Sequence, residues 1–341
     1  MVRLKALSEQ TIVITGGSSG IGLTTAIEAA RRGAAVVLAS RNTDALEAAQ
    51  RAIEDSGGRV AICSADVSIE ADVERIAQTA IDRFGGFDSW VNDAAAATYG
   101  SMEQVPIDDH RRVLDVNYHG LLMGSLVAAR HLRTSSGGAI VNLGSVLSDR
   151  SMIYQGAYSA SKAAVQAATD ALRVELKRDG APISVTLIKP GSVNTPYPEH
   201  ARNFMAAPPR LPPMLYDPQL VADAILFACE HPRRQIYVGG TGWLISFLGR
   251  VAPRLTDLAM EQYGVEAQQK PGDAGDATKR DNLHHPRADG DMRGDQEVFV
   301  RRTSLLLQAQ TQPLMLPFAA AAAGLELLEG LRNRMEERRD G

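Results

Sequence analysis

Thr11-Ile12-Val13-Ile14-Thr15-Gly16-Gly17-Ser18-Ser19-Gly20-Ile21-Gly22 decides how the rest of the chain folds. Its first five residues form a short apolar run, the pattern of a buried strand. A helical pattern follows from Leu23 to about Arg32, and Gly33 closes it. Strand, glycine-rich turn and helix in that order make a phosphate cradle. Gly16 permits the tight turn, Gly20 lets the backbone approach a pyrophosphate, and Gly22 lets the helix pack on the strand. The helix then meets an anion with free N–H groups and a positive dipole end. Gly16, Ser18, Ser19, Gly20, Ile21 and Gly22 are therefore the candidate phosphate contacts. Their spacing is G-x-x-x-G-x-G, not the commoner G-x-G-x-x-G.

A second strand, Ala35 to Ala39, ends at Ser40-Arg41. An acid about 20 residues past the glycines holds a ribose 2′-hydroxyl in NAD sites, whereas an arginine there accommodates a 2′-phosphate. This chain offers Ser40 and Arg41 and no acid, which favours NADP(H) over NAD(H). Further strand patterns cover Val60 to Ser64, Ser89 to Asn92, Ala139 to Leu143, Ile183 to Ile188 and Ile236 to Gly239. Helical patterns lie between them, including one long stretch from about Asp108 to Leu132. Such alternation builds a parallel sheet covered on both faces. Ligands of these sheets sit beyond the carboxyl ends of the strands. Ser18, Arg41, Asp66, Asn92, Ser145 and Pro190 all fall at such ends.

Tyr158-Ser159-Ala160-Ser161-Lys162 places a phenol and an ammonium at i and i+4. A helix from Tyr158 to Lys177 would stack them on one face. A free phenol ionises near pH ~10, so bringing it to ~7 takes roughly 4 kcal/mol. One ammonium at about 4 Å and an effective dielectric near 20 supplies about that much. The expectation is a Tyr158 tuned by Lys162 for acid–base work.

Composition narrows the function classes. A hydrophobic content of 45% supports a sizeable core, and a net charge of −4 gives no footing for nucleic acid. Two cysteines, Cys63 and Cys229, fit a reducing, cytoplasmic setting and no disulfide framework. No metal-ligand spacing occurs; the adjacent His284 and His285 read as solvated loop residues. Neither a signal peptide nor a membrane-spanning segment is expected.

With these motifs in place, the sequence resembles the short-chain dehydrogenases/reductases in their common, non-extended form. The matching pieces are Thr15-Gly16-x-x-x-Gly20-x-Gly22, Asp66-Val67, Asn92 with Ala94, Asn117, Ser145, Tyr158-x-x-x-Lys162 and Pro190-Gly191-x-Val193-x-Thr195. They span roughly residues 8 to 245. The resemblance implies a Rossmann-like three-layer αβα sandwich with a seven-stranded parallel sheet. It implies Tyr158 as acid/base, Lys162 as its partner and ribose contact, Ser145 orienting the substrate oxygen and Asn117 positioning a relay water. Asp66 and Val67 would meet the adenine, and Thr195 the carboxamide. The implied reaction moves a hydride between nicotinamide and a carbonyl or secondary alcohol, in a homodimer or homotetramer. One departure stands out. The family's usual Asn-Asn-Ala-Gly reads Asn92-Asp93-Ala94-Ala95 here, putting a carboxylate near the cofactor and leaving open a catalytically weak NADP-binding scaffold or sensor.

Between Thr195 and Pro218 six prolines alternate with Tyr197, Phe204, Met205, Leu211, Met214, Leu215 and Tyr216. This segment is either an apolar substrate lid or a stiffened loop packed on the core. Ile153 and Tyr154 are further candidates for the pocket wall. No paired arginines clamp an anion, so a mainly apolar small molecule is the expected substrate. The expected division is a catalytic domain over 1–250, a helical continuation over 251–264, a disordered linker over 265–297 and a helical extension over 298–341. Leu325, Leu327, Leu328 and Leu331 give that extension an apolar stripe. Docking on protein is weighed ahead of peripheral membrane contact for it, and the apolar Trp243 to Val251 stretch raises the same question.

Overall fold

β1 (Thr11–Thr15) is buried along its whole length and is an interior strand of a seven-stranded sheet in the computed structural model, which describes residues 2–270, 280–287 and 290–311. The other strands are β2 (Ala35–Ser40), β3 (Arg59–Ser64), β4 (Ser89–Asn92), β5 (Gly138–Leu143), β6 (Ile183–Pro190) and β7 (Gln235–Val238). They run in the order β7-β6-β5-β4-β1-β2-β3, each neighbouring pair parallel. The helices are α1 (Gly20–Arg31), α2 (Thr43–Asp55), α3 (Glu70–Phe84), α4 (Ile107–Leu114), α5 (Leu121–Thr134), α6 (Gly156–Arg178) and α7 (Pro218–Glu230). This is the covered parallel sheet that the alternating pattern predicts, in the Rossmann-like form that the resemblance implies.

Strand periodicity sorts the layers. Ile12 and Ile14 of β1 point into a core shared with Leu23 and Ala26 of α1, Leu46 of α2 and Val221 of α7. Val13, between them, joins Val73 and Ile76 of α3, Leu132 of α5 and Leu176 of α6 on the other face. Each side chain of this size is worth roughly 1.5–3 kcal/mol when fully buried. The strand order reverses between β1 and β4, where Thr15 lies opposite both Ala39 and Asn92. A crevice opens at such a switch point.

Two local features depart from the sequence pattern. The long helix expected over 108–132 is broken by a π-helical turn, Asp115–Gly120, between α4 and α5. Such turns are single-turn interruptions inside a longer helix, too short to stand out against the periodicity on either side. After β7 the chain forms α8 (Gly240–Val251) and α9 (Pro253–Tyr263), whose Phe247, Val251, Leu255, Leu258 and Tyr263 are exposed.

The disordered linker expected over 265–297 is corrected by the residues described there. Leu283 is fully buried, Gln268 is fully buried, and Arg293 pairs with Asp217 at 3.0 and 3.1 Å. Composition misled because the described residues of this stretch dock mainly through their backbone and a few anchors. Farther on, Val300–Arg301 pairs with Leu215–Tyr216, and α10 (Leu305–Thr311) packs on β7. There Gln310 accepts from the Tyr237 N–H at 2.9 Å and donates to its carbonyl at 2.8 Å. The expected apolar stripe at Leu325 to Leu331 lies outside the described residues. No helix among the described residues is long and apolar enough to cross a membrane.

Candidate functional site

The turn from β1 into α1 is built on close backbone approach. Gly16 takes φ +75°, and a Cβ added to it would stand 2.8 Å from the Ala94 N. A Cβ on Gly22 would stand 2.3 Å from the Gly16 carbonyl oxygen. The α1 N-terminus is thereby presented to a cleft lined by Gly16, Ser18, Ser19, Gly20 and Ile21. Ser18 and Ser40 share a 2.8 Å hydrogen bond that ties the cradle to the end of β2. Beyond them the cleft continues past Arg41, Asp66 and Val67 on one side, and past Ala94, Tyr158, Lys162, Pro190 and Thr195 on the other. Its volume is about 220 Å³. The glycine turn, the α1 N-terminus and the continuous cleft fit a dinucleotide, although here the Gly20 N–H is held by the Asp291 carbonyl at 2.9 Å.

A second, mostly apolar cavity of about 160 Å³ adjoins the first. Tyr158, Tyr197, Ile21, Pro190 and Thr195 border both. Ser145, Gly191 and Val193 line the second cavity only, together with Leu211, Pro212, Pro213 and Met214 of the proline-rich segment. That segment is therefore a pocket wall. Met214 holds φ +75°, an uncommon conformation for a residue with a side chain. Ile153 and Tyr154 do not line this cavity. They face a shallow surface depression, and the neighbouring Met152 and Gln155 take their expected place.

Tyr158 and Lys162 lie on α6, one turn apart. Lys162 Nζ stands 5.6 Å from the Tyr158 ring centroid and donates to the Leu143 carbonyl at 2.7 Å. Burial pushes the Tyr158 phenol above its ordinary range; the Ser145 hydroxyl works against that rise and Asp93 adds to it. The expected lowering toward neutrality is thus not what this geometry produces, because burial of the phenol is the dominant influence. Burial lowers Lys162 itself to about 8, with Asp93 opposing. Burial likewise lifts the Asp93 carboxyl to about 7, although Lys162 and the Gly22 N–H favour its charged form. The three groups form one coupled cluster.

Three other candidates also make contacts within the fold. Asn92 accepts from Trp90 Nε1 at 2.8 Å and donates to Ser125 and Asn142, inside the core and away from both cavities. Asn117, in the π-helical turn, accepts from the Ala96 N–H at 2.7 Å and donates to the Ala96 carbonyl and to Ser161 Oγ, each at 2.9 Å. It braces the loop after β4 against α6. Asp66 receives Arg112 Nη2 at 2.6 Å and lies 3.8 Å from Arg41. Burial works against its charge, but the Ser68 N–H and Arg112 outweigh it and hold its carboxyl below the usual range.

Residues 10–205 match the family model described as short chain dehydrogenase. The chain belongs to the short-chain dehydrogenases. It is 41% identical over 329 residues to an uncharacterized oxidoreductase, YxnA, of Bacillus subtilis, a match covering 95% of this chain and 91% of the relative. It is 38% identical over 188 residues to 11-beta-hydroxysteroid dehydrogenase A of Sesamum indicum, covering 54% and 53%. A short-chain type dehydrogenase/reductase from Mycobacterium marinum superposes with a TM-score of 0.60 at 25% identity, covering 68% of this chain and 95% of that one. An alcohol dehydrogenase from Thermococcus sibiricus, complexed with 5-hydroxy-NADP, shares the fold with a TM-score of 0.59 at 24% identity over 67% and 95%. The chain is an oxidoreductase of this family, and the Bacillus match extends beyond the domain into the tail.

Sequence reasoning missed several groups that this short-chain dehydrogenase brings to its site. Asn282, Pro286 and Arg287 line the cleft from the tail. A polar chain runs from the Tyr197 hydroxyl to Gln155 Oε1 at 2.9 Å, and from Gln155 Nε2 to Gln268 Oε1 at 2.6 Å. Asp93, by contrast, was marked in the sequence by its place where the family carries asparagine.

Proposed function

We propose that this short-chain dehydrogenase is an NADP-dependent oxidoreductase acting on a carbonyl or secondary alcohol of a mainly apolar small molecule. The observation carrying this reading is the meeting of a phosphate-cradling cleft and an apolar cavity at one phenol, Tyr158. The Gly16–Gly22 turn would hold the pyrophosphate, and Arg41, with no acid at the end of β2, supports a 2′-phosphate. The structure of the Thermococcus enzyme with an NADP analogue is in keeping with this choice. Nicotinamide, when bound, supplies the hydride chemistry. Tyr158 exchanges the proton with the substrate oxygen, Ser145 Oγ orients that oxygen, and Lys162 keeps positive charge beside it. Leu211 to Met214 exclude water and select apolar groups.

The exposed apolar face of α8 and α9 supports homo-oligomer contact, and the two buried free cysteines support a reducing, cytoplasmic location. The raised phenol and the carboxylate of Asp93 favour one alternative, a dinucleotide-binding sensor with little turnover.

The test is Tyr158→Phe in purified protein against a panel of ketones and alcohols, with NADPH and NADH compared. A loss of about 10²–10⁴-fold is expected. Unchanged turnover would remove Tyr158 from its role, and an NADH preference would remove Arg41 from its own. Tight NADPH binding with no turnover of any panel member would favour the sensor.

A further inference from the structure

Outside the family-model match, the tail runs along the open side of the cofactor cleft. At the adenosine end Leu283 is fully buried in the apolar cluster that contains Ala65, Val67, Val113 and Val116. Arg41, the residue proposed for the 2′-phosphate, donates to the Asn282 carbonyl, to the Leu283 carbonyl at 3.4 Å and to the His284 carbonyl at 3.1 Å. Arg112 Nε also donates to the Leu283 carbonyl, at 3.1 Å. Farther along, the Gly20 N–H at the start of α1 donates to the Asp291 carbonyl at 2.9 Å. At the other end Gln296 clasps Leu211 of the apolar cavity wall through its N–H and carbonyl, both at 2.9 Å.

We propose that this tail is a strap forming the outer wall of the cofactor site, and that a dinucleotide enters and leaves only when the strap lifts. The inference rests on the reading of the cleft as an NADP site. Two independent groups that would meet phosphate, Arg41 and the α1 N-terminus, are engaged by backbone carbonyls of the same segment. An apolar side chain pins that segment beside Val67, where the adenine is expected. A carbonyl is a neutral acceptor, so phosphate oxygens compete well for these donors once the strap moves. The gate is therefore reversible, and the same chain that covers the cofactor steadies the substrate-side wall.

A reversible cross-link tests this. A Cβ built on Gly290 falls 3.0 Å from the Ala45 Cβ on α2, so the two must part by about half an ångström to reach the roughly 3.5 Å lower bound for disulfides. Ala45 is buried like the native Cys63 and Cys229, so mass spectrometry first verifies that the disulfide joins Gly290→Cys to Ala45→Cys. NADPH association and release are followed by stopped-flow fluorescence in full-length protein, oxidised and then reduced. Oxidation is expected to slow both rates at least tenfold, with recovery on reduction. In a second variant, Leu283→Ala, release is expected to be about tenfold faster than in the parent. Equal rates in oxidised and reduced protein, or unchanged release in Leu283→Ala, would overturn the strap alone. Reduced protein binding neither NADPH nor NADH would overturn the reading of the cleft and the strap with it.

Discussion

Asp93→Asn should stabilise this protein, and by an amount that depends on pH. Folding raises the Asp93 pKa from 3.8 to about 7, chiefly through burial. The folded chain then binds that proton more tightly than the unfolded one. Its contribution to stability is whole below 3.8 and is lost as pH rises toward 7. At about 1.4 kcal/mol per pH unit, a rise of roughly three units costs at most about 4 kcal/mol above neutrality. Asparagine carries no charge to desolvate and its Oδ1 can still accept the Gly22 N–H. Some of the gain is offset, because Asp93 helps keep Lys162 charged. Net stabilisation of about 2–4 kcal/mol at pH 8.5 is expected, shrinking by about 1.4 kcal/mol per unit on descending from pH 7 toward pH 4. Urea unfolding of both proteins at pH 5, 6, 7 and 8.5, monitored by fluorescence, measures it directly. A gain that is the same at every pH, or absent at pH 8.5, would refute the burial of a titrating carboxyl at this position.

Two shorter predictions follow from the same region. If charged Lys162 is needed, kcat/KM for carbonyl reduction falls as pH rises through about 8, since deprotonation removes the charge beside Tyr158; a flat profile from pH 7 to 9.5 would count against its role. Gly22→Ala brings a Cβ to 2.3 Å from the Gly16 carbonyl, so α1 must shift at about 1–3 kcal/mol cost, read as a lower melting temperature with weakened NADPH binding.

The cradle was legible because sterics leave so few alternatives at Gly16 and Gly22, where a side chain would strike backbone. The strands were legible because Ile12, Val13 and Ile14 are apolar on both faces, as a covered parallel sheet demands. The tail was illegible for the opposite reason. Its grip on Arg41 and Gly20 runs through carbonyls that every residue carries, and Leu283 is one apolar anchor among polar neighbours. Average composition reads such a stretch as unstructured. The orientation of Lys162 was likewise beyond periodicity. Spacing i to i+4 fixes the face of α6 but not which acceptor the ammonium chooses, and the Leu143 carbonyl outcompetes the phenol.

The α1 N-terminus joins these strands of argument into one measurable consequence. Gly20 gives its N–H to Asp291, and the Gly22 N–H faces the Asp93 carboxyl. An anion arriving at that helix end meets a group already poised near pH 7, and its negative charge must raise the Asp93 pKa further. Binding of NADPH should therefore draw in a proton, about half an equivalent at pH 7, and weaken as pH rises from 6 to 8. The 2′-phosphate itself, held by Arg41 as its dianion, releases protons on binding and contributes the opposite trend, so Asp93→Asn is the reference. Calorimetry of NADPH binding in buffers of different ionisation enthalpy should show proton uptake in the parent well above that in Asp93→Asn. Equal uptake in the two would mean that Asp93 does not sense the bound phosphates, and the cluster of Asp93, Lys162 and Tyr158 would have to be treated as separate from the cradle.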